Sequence, residues 1–416
     1  MREVFVAGVG MTRFAKHMDR SIKDLTRVAL ERVVADAGVT LSDIEAAWFA
    51  NSGWGSSFGQ NCIRGQVALR PSGLEGLPIT NVENACAGGA TAFHHAWLAV
   101  GSGLYECALA IGAEKGYLED KEKMFKGFWS GMDVDNAQAH IKALQALSDS
   151  IKIEIPEAEA GGAGKDRSAF MDIYSAFCRW HMQRHGTTRE QIALIASKNH
   201  FHSSMNPYAQ FQKKMSVSEI LAARQVSWPL TVPMCAPVGD GAAAAIVCSE
   251  AFLKRLKNAR PVRVRASVLG SGTSRPMEAE NQDIGVRLSK KAYETAGVGP
   301  QDIDLAEVHD ATSFGELHQT EALGFCKFGE GGLYAESGAT RLGGKMPVNT
   351  SGGLESRGHP IGASGLGQIN ELVTQLRHEA GERQVKNCRL ALAENGGGNL
   401  GFEEAAMGIH ILERIG

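Results

Sequence analysis

Among the eight cysteines of the chain, Cys86 stands apart through its surroundings. In NVENACAGGATAFHHAW, a β-branched segment (Ile79, Thr80, Val82) stops at Asn84-Ala85, and a helical pattern rich in small residues opens at Cys86. A thiol at a helix N-terminus meets unpaired backbone N–H groups and the positive end of the dipole. Both favour the thiolate and lower the thiol pKa from its reference of about 8.5. This is the setting of a nucleophile, with a buried structural cysteine as the alternative.

A nucleophilic thiol needs a base beside it. His359, in NTSGGLESRGHPIGASGLGQINEL, sits between a Gly and a Pro-Ile-Gly, so its imidazole belongs to a tight loop and not to an apolar helix face. His309, in DIDLAEVHDATSFGE, closes an apolar strand just before a turn, where open α/β sheets place ligand-binding groups; a solvated loop His paired with Asp310 is the alternative. ENGGGNLG at 394–401 follows the strand RLALA, and its consecutive glycines let a backbone come close to a reacting centre.

These residues are set in an internal repeat. SIKDLTRVALERVVADAGVTLSDIEAAWFAN reads as helix, turn at Gly38, connector and apolar strand, and IGVRLSKKAYETAGVGPQDIDLAEVHDA repeats that order. Ala37-Gly38 recurs as Ala296-Gly297 and Asp43-Ile44 as Asp302-Ile303, both displaced by the same 259 positions. More loosely, Asn84-Ala-Cys-Ala-Gly-Gly resembles Asn349-Thr-Ser-Gly-Gly, each opening a helical pattern, and ALAIGAE ending at Glu114 resembles LALAE ending at Glu394. Strands alternating with amphipathic helices predict two α/β halves with covered sheets, 1–260 and 261–416. The first half carries an inserted loop domain at about 115–235, suited to a lid or pocket wall and including a helix from Asp172 to His185.

Composition narrows the function classes. The chain has 416 residues, ample for a sizeable core, and 43 Lys+Arg against 46 Asp+Glu give a net charge of -3, which removes the basic field of a general nucleic-acid binder. The cysteines show neither a disulfide framework nor zinc spacing, so no metal is expected and the thiols read as reduced. No apolar run approaches the roughly 20 residues of a membrane span, and no signal peptide is evident, so the expected location is cytoplasmic.

With these residues in hand, the chain resembles the thiolase superfamily, in its sterol-carrier-protein-linked branch with acetyl-CoA acetyltransferase-like members. The likeness rests on GHPIGASG around His359, HDAT at 309–312, the NACAGG loop at Cys86, and PVGDGAAAAIV at 237–247. It implies an α/β thiolase fold with a duplicated five-layered α-β-α-β-α core, a homodimer, and coenzyme A as co-substrate with no permanently bound cofactor. Cys86 would be the acyl-accepting nucleophile and His359 its base. His309 would help to bind the thioester oxygen in an oxyanion hole, and backbone N–H groups near Cys86 and at Gly397, in the Gly396–Gly398 loop, would form a second hole. Cys235, Ala236, Pro237, Val238 and Gly239 match the loop that borders pantetheine.

The sequence departs from the family where a second cysteine usually serves as acid and base: those places hold Glu394 and Ala311. Glu394, His309 or a bound water must substitute, or the reaction differs; Glu394 as a structural carboxylate is the alternative. The chain carries neither a sterol-carrier domain nor a Ser-Lys-Leu tail, the pattern expected of a bacterial or archaeal cytoplasmic enzyme. The leading expectation is degradative thiolysis of a 3-oxoacyl-CoA. Phe125, Phe128, Trp129, Phe170 and Tyr174 in the insertion would suit a branched or aromatic, arylsuccinyl-type acyl group, or else form ordinary core. Some members of this branch work with a small partner carrying a zinc ribbon and an OB-fold. The competing readings are Claisen condensation or retro-aldol cleavage on the same fold, and a non-catalytic CoA-ester or lipid-binding subunit, which would leave Cys86 no more alkylatable than Cys107 or Cys248.

Overall fold

The structure, a computed structural model, describes residues 1–164 and 166–415. The strands of the first half are β1 (Val4–Met11), β2 (Ala46–Ala50), β3 (Ile79–Val82) and β4 (Cys107–Lys115), then the short ribbon β5 (Gln225–Ser227) and β6 (Leu230–Thr231), then β7 (Asp240–Ser249). The second half supplies β8 (Val262–Ser271), β9 (Leu305–Glu307), β10 (Leu390–Gly397) and β11 (Ala406–Arg414). Nine of them form one mixed sheet in the order β3-β2-β4-β7-β1-β8-β11-β10-β9. Within the sheet the halves pair through Phe5 opposite Arg263 and Val6 opposite Val262.

Layering follows from which faces are apolar. β4 and β7 are nearly continuous apolar runs, as strands covered on both faces must be. Helix Ile22–Ala37 covers β1, β4 and β7 from outside, and helix Ile284–Ala296 covers β8 and β11. Helices Gly88–Gly101 and Ser364–Leu376 pack on each other and on strands of both halves, burying Phe93, Ala96, Leu366, Ile369 and Leu372 in one shared core. The result is the α-β-α-β-α order that the family resemblance implies.

The repeat is visible residue by residue. Both outer helices end on a left-handed glycine, Gly38 at φ 68° and Gly297 at φ 69°. The 3₁₀ turns Leu41–Asp43 and Pro300–Asp302 and the first residues of β2 and β9, Ala46 and Leu305, keep the same displacement. One expected correspondence fails. The Asn349 segment opens only a five-residue π-helical turn, Gly353–Arg357, because Gly352, Gly353 and Gly358 all adopt positive φ. The inner helix of the second half starts later, at Ser364. Between β4 and β7 the insertion contributes helices Ala169–His185 and Arg189–Ser203, the first longer than expected at its start.

Candidate active site

Cys86 lies on a tight turn and not on the helix. Ala85 adopts φ 46°, Ala87 N–H donates to Asn84 O at 2.9 Å, and Gly88 N–H donates to Ala85 O at 3.1 Å. The helix therefore begins at Gly88 with Ala87 as its cap, two residues beyond the expected start. The Glu83 carboxylate accepts Ala85 N–H at 2.7 Å and fixes the entry to the turn. β10 backs it closely: a Cβ on Gly397 would lie 2.3 Å from Ala87 N and 2.8 Å from Cys86 N. The N–H groups facing the sulfur belong to Cys86 itself and to Gly398. Gly397, the expected oxyanion donor, has no side chain, which permits this approach.

His359 reaches the thiol from the loop after Gly358, with Nε2 3.2 Å from Cys86 Sγ. Its tautomer follows from its other nitrogen. Ser364 O–H donates to Pro360 O at 3.0 Å, so Ser364 Oγ accepts Nδ1–H of His359 at 2.7 Å. Nε2 is left as an acceptor for the thiol proton. His309 stands beside it, the two ring centroids 5.3 Å apart. Asn395 Nδ2 donates to His309 Nδ1 at 3.1 Å, which places the His309 proton on Nε2 as a donor. Ser364 and Asn395 were not singled out in the sequence, although each lies inside a motif that was.

The electrostatics reverse one expectation. Burial, with the charges of Glu114 and Glu83 adding to it, pushes the Cys86 thiol up to about 12, against the smaller pull of the two N–H groups. The position ahead of the helix does not overcome desolvation. Burial likewise lowers His359 well below the usual imidazole range, helped by the nearby His309 and Arg357, and brings His309 down to about 4. At rest the pair is a neutral thiol donating to a neutral imidazole. The ligand atoms of Cys86, His309 and His359 lie within 4.8 Å of one another, so a proton or an electrophile at the sulfur meets both rings.

Glu394 is fully buried on β10, where Oε2 accepts His309 N–H at 2.8 Å and Oε1 has no partner among the described residues. It holds the backbone of His309 and does not line the cavity at Cys86. Burial, offset by that N–H and reinforced by Glu404, pushes its carboxyl up to about 8.

A cavity of about 400 Å³ opens over Cys86, His309 and His359. The Cys235–Gly239 loop forms one wall, held by Ala236 N–H donating to Ala311 O at 2.9 Å and by a bridge between Val238 and His359. The insertion supplies Phe125, Phe128, Phe170 and Tyr174, whereas Trp129 faces a different recess. Lys16, Lys121, Arg167 and Arg224 stand along the same cavity. No described helix is long and apolar enough to cross a membrane.

Comparison with known proteins places this geometry. Residues 4–155 match the family model "Thiolase, N-terminal domain" and residues 280–413 match "Thiolase C-terminal domain-like". Sterol carrier protein 2 of Bos taurus is 39% identical across 97% of this chain and 73% of its own length. Acetyl-CoA acetyltransferase of Methanothermobacter thermautotrophicus is 36% identical across 100% of both chains. Benzoylsuccinyl-CoA thiolase subunit BbsB of Thauera aromatica is 34% identical across 95% of both. The solved Ltp2-ChsH2(DUF35) aldolase shares the fold, with a TM-score of 0.78 at 23% identity over 99% of this chain and 98% of that one.

Proposed function

Because this chain belongs to the thiolase family and is an acyltransferase of that kind, we propose that it cleaves a 3-oxoacyl-CoA with free CoA through an acyl-Cys86 intermediate. The observation that carries this reading is the 3.2 Å contact between Cys86 Sγ and an unprotonated His359 Nε2 on the wall of the cavity. As the sulfur attacks the 3-oxo carbon, its proton passes to Nε2, and the charge on the former carbonyl oxygen is met by backbone N–H groups such as those of Cys86 and Gly398. His309, with its proton on Nε2, donates to the thioester oxygen of the departing enolate. CoA then resolves the acyl-enzyme. The Cys235–Gly239 loop borders its pantetheine arm, and Lys16, Lys121, Arg167 and Arg224 supply positive charge for its phosphates.

The aromatic side of the cavity favours a branched or aromatic acyl group of arylsuccinyl type, in keeping with the benzoylsuccinyl-CoA thiolase relative. The physiological unit is a homodimer assisted by a small zinc-ribbon and OB-fold partner; the DUF35 partner named with the aldolase of like fold is compatible with such a partner. The test is incubation with a panel of aliphatic and aromatic 3-oxoacyl-CoAs plus CoA, with product analysis and mass spectrometry of Cys86. Cleavage with an acyl group on Cys86 is expected, and Cys86→Ala should retain no more than a few per cent of the rate. A variant that cleaves normally would remove Cys86 from the mechanism.

A further inference from the structure

Cleaving the C2–C3 bond leaves an electron pair on C2 that must receive a proton, and the family's second cysteine is absent. His309 is poorly placed to give one: it is neutral, and the Nε2–H it turns to the cavity is a hydrogen-bond donor of very low acidity. Glu394 lies behind His309, off the cavity wall. Three carboxylates do line the cavity: Glu114, Asp166 and Glu404. Glu114 is saturated, accepting from Asn51 Nδ2 and from the N–H groups of Ser52, Gly53 and Gly362 at 2.8–3.1 Å. Asp166 is paired with Lys121 at 3.6 Å and Arg224 at 3.9 Å.

We propose that Glu404, on the loop between β10 and β11, is the acid–base residue that delivers the proton to C2 and later takes one from the incoming CoA thiol. Its side chain shares the cavity wall with Cys86, His309, Gly398 and Tyr174, and its one described side-chain hydrogen bond is a long one, from Gln319 Nε2 at 3.4 Å. Tyr174 lines the same cavity as Glu404 and Cys86. Gly396 leaves room beneath the carboxylate, where a Cβ would meet Glu404 Cγ at 2.9 Å. Burial and the Asp283 charge raise the Glu404 carboxyl above its usual range, against the pull of His318. Behind it a side chamber of about 50 Å³ bordered by Asp283, His318 and Gln319 has room for a water or two.

The step balances. Cys86 S–H passes its proton to His359, and sulfur bonds to C3. The C2–C3 bond breaks, and its electron pair takes the Glu404 proton, releasing the shorter acyl-CoA. Glu404 carboxylate then removes the CoA thiol proton, CoA sulfur bonds to the acyl carbon, and Cys86 leaves as thiolate and recovers its proton from His359.

This inference rests on the thiolysis reading, and three measurements on wild type, Glu404→Gln and Glu404→Asp test it. Glu404→Gln should lose C–C cleavage by roughly 10²–10⁴-fold, and solvent exchange of the α-protons of acetyl-CoA in deuterated buffer should fall in parallel. Acylation of Cys86 by a nitrophenyl ester, whose leaving group needs no proton, should stay within about threefold of wild type. Glu404→Asp should recover exchange at least about tenfold over the Gln variant. Cleavage and exchange near wild type in Glu404→Gln, or an Asp variant no better than Gln, overturns the assignment, as does loss of exchange in Glu394→Gln but not in Glu404→Gln. Wild-type protein that exchanges α-protons yet cleaves no 3-oxoacyl-CoA overturns the thiolysis reading, and exchange in the variants still decides the role of Glu404.

Discussion

Two imidazoles flank one thiol, and each is oriented by a different neighbour: Ser364 turns His359 into an acceptor, and Asn395 turns His309 into a donor. The same pair of residue types thus takes opposite parts without either ring being charged. The motifs made both histidines legible in the sequence, whereas their tautomers depend on hydrogen bonds that spacing does not reveal. The thiol is the residue on which sequence reading went furthest astray, because a helix start is visible in a sequence and desolvation is not. Glu83 offers a direct test. Its carboxylate lies in the same turn and raises the thiol pKa. In Glu83→Gln the amide oxygen still accepts Ala85 N–H while the charge is gone, so the thiol pKa falls and the thiolate fraction at neutral pH rises. Alkylation of Cys86 by iodoacetamide at pH 7–9 should quicken, by up to about tenfold for one pKa unit. An unchanged or slower rate would show that the Glu83 charge does not reach the sulfur.

At the scale of elements, the helix ends, the 3₁₀ turns and the strands that follow them were readable because glycine caps and turn residues act locally, which is why one displacement of 259 carries through both halves. The Asn349 segment was misread because the local resemblance to Asn84 says nothing of three nearby positive-φ glycines that stop a helix. Glu404 gave no signal at all: the β10–β11 connection brings it to the cavity, a tertiary fact absent from its neighbours in sequence. Close approach of backbones decides the placement of the His359 loop. A Cβ on Gly112 of β4 would lie 2.0 Å from Gly362 O, three residues beyond His359. Gly112→Ala must therefore push that loop away and lengthen the contact with Cys86. Denaturant unfolding should show a loss of about 1–3 kcal/mol, the usual cost of overpacking. Acylation of Cys86 should fall by a larger factor than that loss of folded protein explains. Wild-type acylation in a folded variant would mean that the loop tolerates displacement without consequence.

For the whole molecule, the duplicated core buries an unusual set of ionisable groups, and their signs predict how stability varies with pH. Burial, with the Glu316 charge added, pushes Glu355 up to about 8, and Glu394 reaches about 8 through burial and Glu404. Burial works against charge on His318, yet the Asp283 carboxylate beside it lifts the imidazole to about 9. Between pH 7.5 and 8 the folded protein keeps much of the protonation of all three, while in the unfolded chain Glu and nearly all His have lost their protons. From about pH 7.5 upward the folded state binds more protons, so unfolding free energy must fall as pH rises. Buried His94, His202 and His410, whose values burial lowers to between about 3 and 4, are neutral in the folded protein but about half charged in the unfolded chain at pH 6.5, so they oppose the decline near that pH and are neutral in both states by about pH 8. Each group contributes at most about 1.4 kcal/mol per pH unit, so a combined decline of at least about 1 kcal/mol from pH 7.5 to 8.5 is expected in urea unfolding. Glu394→Gln keeps an acceptor for His309 N–H but cannot titrate, and its decline should be shallower. A wild-type profile that is flat or rising, or a variant profile as steep as wild type, would mean that these carboxyls ionise in the folded protein as readily as in water.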